Sequence, residues 1–318
     1  MRYGLPYMGS KNDLAERICG ILPPADTLID LFAGGCAITH RALLVGKWRR
    51  IIANDITDAP TLFKDAALGK YRDCDRWVGR DEFNAFKDVD PFVRLCWSFG
   101  NDQKTYLYSM EVEPYKRAVH RLMFAPDLHS RYWAFREVIR ELDRLVPIAR
   151  RKGEAKEKSL ERLQSLESLE RLQSLERLER LESLESLERL QSLERLESLE
   201  SLERLERLES LEVVQGDYRD VAIPDGAVVY CDPPYWNTKK YLHGFDHEAF
   251  REWCAAQTAP LYVSEYGFDC DGFAVLAEWE RAGSLSSKGV NYTLERLYAN
   301  KAGMELAKRQ MEFDYGEA

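Results

Sequence analysis

Val228-Val229-Tyr230-Cys231-Asp232-Pro233-Pro234-Tyr235 is the stretch of this chain with the most chemistry in it, an apolar run that stops at an acid, two prolines and an aromatic ring. The run predicts a buried strand. The prolines have no N–H for a sheet ladder, so the backbone leaves the sheet at Asp232. Prolines also hold the preceding residue extended, which presents the carboxylate, the following carbonyls and the ring stiffly at a strand end. In open α/β sheets ligands bind at that edge. A carboxylate beside a carbonyl accepts hydrogen bonds from both N–H groups of an exocyclic base amine and favours its rehybridised, nucleophilic form. A flat ring next to them offers a surface for an extruded base. A strand-ending turn with an exposed acid uses the same residues, so the rest of the chain has to decide.

The elements that would position this corner are strand ends of the same kind. Thr27-Leu28-Ile29-Asp30-Leu31-Phe32 reads as a strand that breaks at Ala33-Gly34-Gly35, with a helix from Ala37 to Val45. Strand, glycine turn and helix begin a nucleotide-type site, since glycines let the backbone approach a ligand and the helix start offers unpaired N–H groups. The turn lacks the full G-x-G-x-x-G spacing and is followed by no Lys-Ser/Thr, which disfavours a dinucleotide or ATP. Arg50 to Asp55 is a second acid-tipped strand, placed as an acid for ribose hydroxyls would be. Gly216-Asp217-Tyr218 ends a third apolar run and is placed to face a bound adenine.

Upstream, Tyr7-Met8-Gly9-Ser10-Lys11 is a loop, and Ser10 or Asn12 is suited to cap a helix from Asp13 to Ile21. Downstream the pattern predicts a helix over Phe245–Ala256, a strand over Ala259–Glu265, a helix over Phe273–Glu280 and a strand region from Val290 to Ala299. His243 and His247 have the spacing of paired metal ligands, but no third ligand lies nearby and no metal is expected.

Between the two halves the chain changes character. Pro60 to Asp88 is amphipathic and helix-leaning. From Val93 onward Trp97, Phe99, Tyr106, Tyr108, Tyr115, Phe124, Tyr132, Trp133 and Phe135 alternate with Lys104, Lys116, Arg117, Arg121 and Arg131. Gly100-Asn101-Asp102 marks a turn inside this block. The net charge of −9 is unevenly placed: from Arg94 to Lys158 fourteen Lys or Arg stand against nine Asp or Glu. A helical subdomain with an aromatic core accounts for most of these rings. As a block, aromatic and basic residues together suit a nucleic-acid target-recognition region, with Lys104, Lys116, Arg117 and Arg121 as phosphate contacts.

Leu160 to Leu211 carries leucine at every third position, with only Ser, Glu, Arg or Gln between. Nothing interrupts a helix, and pairs such as Glu167/Arg171 and Glu203/Arg207 have the favoured i,i+4 order, so a helix is expected. A period of three steps back around an α-helix by about 60° per leucine, so no single apolar face results. So regular a repeat reads as a tandem expansion without catalytic duty. It either projects as an arm that associates with another surface, a second copy included, or stays partly disordered.

Seven cysteines with no Cys-x-x-Cys argue against a disulfide framework or zinc ribbon and for a reducing compartment. The N-terminus lacks an apolar signal core and no apolar run reaches membrane-spanning length, so a cytoplasmic, unanchored protein is expected.

Tyr7-Met8-Gly9-Ser10-Lys11, Asp30-Leu31-Phe32-Ala33-Gly34-Gly35, Asn54-Asp55 and Asp232-Pro233-Pro234-Tyr235, in that order, resemble the Dam-like (alpha-group) adenine-specific DNA methyltransferases. Ser264-Glu265-Tyr266 and Leu294-Glu295-Arg296 look like the family's weaker downstream motifs. The resemblance covers roughly residues 3–150 and 212–300 and implies a Rossmann-like α/β fold that binds S-adenosylmethionine, with a mostly helical inserted recognition region. By motif match, Tyr7 and Lys11 would touch the cofactor end of the site, Asp30, Phe32, Ala33 and Gly34 would wrap the methionine moiety, Asp55 would hold the ribose, and Asp217 and Tyr218 would lie by the cofactor adenine. Asp232 and the Pro233 carbonyl would accept the target amine's hydrogens, Pro234 would stiffen the turn, and Tyr235 would stack on the flipped adenine of duplex DNA.

The expected organisation is a catalytic core over 1–60 and 212–310, a recognition region over 61–158, and the repeat, which the family does not share, over 159–211. Methylation of cytosine N4 or of an RNA adenine uses the same amine chemistry. A DNA-binding scaffold on a decayed methyltransferase core is the alternative of another class, and the intact Lys11, Asp55 and Asp232 argue against it.

Overall fold

The computed structural model describes residues 2–72, 74–153, 208–235, 245–286 and 289–316. Residues 159–207 of the leucine repeat, and His243, lie outside them. Two compact units divide the chain, Met1–Arg72 with Glu194–Ala318, and Asp73–Leu193.

The first unit is built on a seven-stranded sheet. Its strands are β1 (Ala25–Asp30), β2 (Trp48–Asp55), β3 (Leu211–Gln215), β4 (Ala227–Cys231), β5 (Leu261–Glu265), β6 (Phe273–Ser286) and β7 (Gly289–Asn300). They lie in the order β3-β2-β1-β4-β5-β7-β6. The first five are parallel and β7 runs antiparallel to both β5 and β6. Parallel strands covered on both faces are buried along their length and read as nearly continuous apolar runs. All five residues of β4 and of β5 are buried accordingly. Alternate residues Ala227, Val229 and Cys231 join Ile29, Leu31, Leu261, Val263 and Phe250 in one core cluster. On the alternate position Tyr230 pairs its hydroxyl with Ser264 Oγ at 2.8 Å.

Helices α1 (Ala15–Ile21) and α2 (Ala37–Val45) pack on each other, and α3 (Ala59–Ala67) packs on β2 and β3. That packing carries the first unit past residue 60 to Arg72. In the second unit α4 (Arg80–Phe86), α5 (Pro91–Cys96), α6 (Glu113–Met123) and α7 (Leu128–Gly153) surround an aromatic core in which Trp77 meets Trp97 edge-on at 5.0 Å and stacks on Tyr108 at 5.8 Å. The first unit resumes with β3 and is completed by α8 (His247–Ala256) and α9 (Lys301–Gly316).

The seven-stranded, mostly parallel α/β architecture is Rossmann-like, as the resemblance implies. Three local expectations are corrected. Phe273–Glu280 is not a helix but the start of β6. Its two-residue alternation is interrupted by a register shift between Val275 and Ala277, and as an edge strand it is half exposed, so its burial pattern does not read as a strand. Hydrogen bonding to β7 overrides the helix-forming Ala, Leu and Glu within it.

Against the helix expected of the leucine repeat, its described end passes into the sheet. Leu208–Ser210 form a 3₁₀ turn, and Leu211 is the first residue of β3, buried opposite Ile51 with its carbonyl bonded by Lys64 Nζ at 2.8 Å. A triplet pattern contains no feature that marks this change; the open edge of β2 does. Finally, α1 begins after Leu14 with no side-chain cap, and Asn12 instead donates to the Tyr3 carbonyl at 2.9 Å.

Candidate active site

The strand order reverses between β1 and β4, which are hydrogen-bonded neighbours with Asp30 opposite Tyr230. A crevice at the carboxyl ends of the strands is expected at such a switch point. Leu31 N–H donates to the Tyr230 carbonyl at 2.9 Å, so the glycine turn after β1 and the Asp-Pro-Pro-Tyr corner after β4 leave the sheet side by side.

The glycine turn is held by its neighbours. Ala33 N–H donates to the Asn54 carbonyl at 2.8 Å, Asn54 Nδ2 donates to the Leu31 and Gly216 carbonyls at 2.9 and 3.3 Å, and Leu5 N–H donates to the Gly35 carbonyl at 2.6 Å. Gly34 has φ 47°, and the Tyr7 ring lies where its side chain would be. At Gly35 a Cβ would lie 2.6 Å from Tyr7 Cβ and 2.8 Å from the Leu5 carbonyl oxygen. Gly35→Ala is therefore expected to lose roughly 1–3 kcal/mol in urea unfolding, as overpacking does. Gly216→Ala, with nothing within 4 Å, should stay within about 0.5 kcal/mol of the parent. Equal midpoints for the two variants would show that the Tyr7–Gly35 contact is not tight.

Asp55 closes the same turn. Its Oδ2 accepts from Gly34 N–H at 2.8 Å, and its Oδ1 from Thr57 N–H and Oγ1 at 2.9 and 2.7 Å. A carboxylate accepts about four hydrogen bonds, which leaves room for a ligand hydroxyl. Burial raises its pKa, and the bonds from Thr57 and Gly34 oppose that rise. Asp30 turns the other way: its Oδ2 accepts from Thr39 N–H and Oγ1 at 3.1 and 2.6 Å, fixing the first turn of α2. Burial pushes its pKa up to about 7, with Asp232 and Asp55 adding to the rise. Two buried polar atoms at this edge, Ser10 Oγ and Asn54 Oδ1, have no hydrogen-bond partner among the described residues. A polar ligand that enters this edge finds acceptors and a hydroxyl waiting.

Phe32 packs on Tyr218 at 5.3 Å, and both lie against Phe245 and Phe250. Asp217 beside them is held below its usual range by hydrogen bonds from Arg219, whose guanidinium it binds at 2.8 and 2.7 Å.

The acceptor corner gathers residues from both ends of the chain. Lys11 Nζ lies 2.6 Å from Asp232 Oδ1 and 3.3 Å from Glu295 Oε1. The Tyr235 hydroxyl donates to the same Glu295 oxygen at 2.6 Å. Lys11 is 4% exposed and Glu295, on β7, is wholly buried. Burial raises the pKa of Asp232 to about 6; Lys11 works against that rise and Glu295 adds to it. The Tyr235 phenol is held far above its usual range by burial and by both carboxylates.

Tyr235 itself is 7% exposed, with the Lys11 ammonium 4.5 Å from its ring centroid and the Tyr266 ring packed edge-to-face on it at 4.6 Å between centroids. Tyr266 is 38% exposed and is the more accessible of the two rings. Pro233 is buried and Pro234 half-buried. Glu295 was not singled out as a site residue from sequence. The signal is an acid two and four positions before buried Leu297 and Ala299, on a strand where alternate residues face the core.

In the second unit α6 separates the basic candidates by face. Arg117 and Arg121, four apart, are exposed, and Arg121 bonds Glu137 at 2.9 Å. Lys104 is exposed on the turn before the helix. Lys116 departs from the surface reading: with His120 it forms the buried stripe of α6, and its ammonium lies 5.9 Å from the ring centroids of Tyr108 and Tyr115. Rings of negative face draw in the charge that composition alone assigns to the surface.

Among the described residues no group of three or more His, Cys, Asp or Glu is arranged to hold a metal ion, and no helix is long and apolar enough to cross a membrane. No curated protein matches the chain. Residues 7–91, which run from the Tyr7 loop through the glycine turn and Asp55 into α5, match the family model of D12 class N6 adenine-specific DNA methyltransferases. Over those residues the chain is similar to the adenine-specific DNA methyltransferases, and the order of its motifs and its seven-stranded sheet are consistent with that likeness.

Proposed function

We propose that this protein transfers a methyl group from S-adenosylmethionine to N6 of an adenine flipped out of duplex DNA. The observation that carries the proposal is the Asp232–Lys11 pair after β4, beside the glycine turn after β1. Tyr7, the Asp30–Gly34 turn with Phe32 and Ala33, Asp55, Asp217 and Tyr218 are the residues proposed to hold the cofactor. The remaining acceptor capacity of Asp55 and the unpartnered Ser10 Oγ fit a ligand with hydroxyl and amino groups. When bound, S-adenosylmethionine supplies an electrophilic methyl group.

The protein's own work is then to hold the amine. Asp232 keeps one oxygen on Lys11 and, with the Pro233 carbonyl, accepts the amine hydrogens, so that the nitrogen lone pair is localised rather than shared with the ring. The methylated nitrogen carries positive charge until it releases a proton, and an ionised Asp232 stabilises that charge. Extruding the base costs a few kcal/mol. Contacts to the DNA backbone meet part of this cost, for which Arg117, Arg121 and Lys104 are the exposed candidates. Alignment of donor and acceptor supplies much of the remaining acceleration.

The test incubates the full chain with tritiated S-adenosylmethionine and duplex DNA free of modified bases, followed by nucleoside chromatography. Label in N6-methyldeoxyadenosine is the expected result. Label only in methyldeoxycytidine, label only in RNA supplied in a parallel incubation, or none at all would sink the proposal.

A further inference from the structure

We propose that Glu295 is a positioning residue of this corner: from β7 it shares the Lys11 ammonium with Asp232, and so preserves the negative charge that Asp232 turns toward the substrate amine. The inference rests on the reading of Asp232 as amine acceptor.

Three observations carry it. Glu295 is wholly buried, whereas Leu297 and Ala299 at the equivalent positions of the same strand are apolar. An ionised side chain in such a place costs several kcal/mol unless it is paired. Its bonded neighbours include Lys11 and the hydroxyl of Tyr235, both belonging to the acceptor corner, so its charge is spent on that corner.

The third observation is the charge balance. Lys11 lies between two carboxylates, at 2.6 Å from Asp232 and 3.3 Å from Glu295, which gives the trio one net negative charge. With Glu295 neutral, the ammonium would belong to Asp232 alone and the corner would carry none. An amine that donates its lone pair gains positive charge, and a preorganised negative field lowers the energy of that state. Glu295 therefore contributes without touching the substrate.

Among the described residues the groups that face Asp232 are Lys11 from the N-terminal loop, Glu295 from β7, Tyr235 just beyond it, and Asp30 and Tyr230 from β1 and β4. Glu295 is the one whose removal acts twice in the same direction. It withdraws a negative charge, and it frees Lys11 to bind Asp232 fully.

The decisive variant is Glu295→Gln, which keeps the volume and an acceptor for the Tyr235 hydroxyl. Its plateau kcat on unmodified duplex is expected to fall roughly ten- to hundredfold, while KM stays within about threefold. The acid limb of its pH–rate profile should move to lower pH. A readout free of turnover is the carbon-13 titration of the Asp232 carboxyl, assigned by its loss in Asp232→Asn; its midpoint should move to lower pH as well. Glu295→Asp draws the charge back by one methylene and should shift both quantities the same way by less, which carries the test if the glutamine variant fails to fold.

A folded Glu295→Gln with the parent's midpoint overturns the inference, whether its rate is normal or reduced. If the parent chain itself transfers no label to adenine, the proposed function fails. The carboxyl titration then still decides whether Glu295 sets the charge on Asp232.

Discussion

Asp232→Ala is expected to lower methyl transfer to adenine by about 10³-fold or more, the loss typical of removing a group aimed at charge that develops in the transition state. The substitution removes the carboxylate bonded to Lys11 at 2.6 Å but leaves Lys11 paired with Glu295 at 3.3 Å, so the corner retains a balanced ion pair. Folding should therefore be little affected. Among the described residues neither the glycine turn nor Asp55 bonds to Asp232, whose hydrogen-bonded partners are Lys11 and Tyr235. Binding of S-adenosylmethionine should accordingly remain measurable by calorimetry. A variant that keeps the parent's turnover would remove Asp232 from the mechanism. One that loses turnover and cofactor binding together would make it a cofactor ligand instead.

Lys11→Met should have the largest effect on stability. It leaves Asp232 and a wholly buried Glu295 facing each other across the space the ammonium held. Stranding a buried charge by removal of its partner costs roughly 3–5 kcal/mol. The loss should depend on pH in a definite direction. Asp232 has its folded pKa raised from 3.8 to about 6, so whatever it contributes to stability is fully present below about pH 4 and is lost as pH rises through 6. Lys11 is the group that opposes this rise, so its removal lifts the folded pKa further and extends the loss toward neutral pH. Urea unfolding at pH 5 and pH 8 is the appropriate measurement. The deficit of the variant should be much larger at pH 8, and methyl transfer should be lost at both. Equal deficits at the two pH values would mean that the carboxylates do not depend on Lys11.

How far the sequence reaches can be followed through single residues. Helix α2 begins at Ala37 and ends at Val45, as the apolar spacing and the Gly46 stop require. β1, β2, β4 and β5 are legible because each has a short, nearly continuous apolar run at its buried centre and ends in or next to an acid. β6 is not legible in this way. It is held by hydrogen bonds to β7, and its own residues sit half-exposed at an edge where neither period of burial is enforced.

Lys116 and Glu295 fail for a common reason. Composition treats a charge as a surface feature, yet Lys116 is drawn beneath the nearby rings of Tyr108 and Tyr115, and Glu295 beneath the ammonium of Lys11 from the other end of the chain. By itself, then, the sequence determined the strand ends, the acidic corner and the motifs that carry the family resemblance, because each depends on residues close together in the chain. Only the tertiary structure decided that Lys11 stands between Asp232 and Glu295, because a buried charge takes its partner from whatever the fold brings within about 4 Å, regardless of separation along the chain.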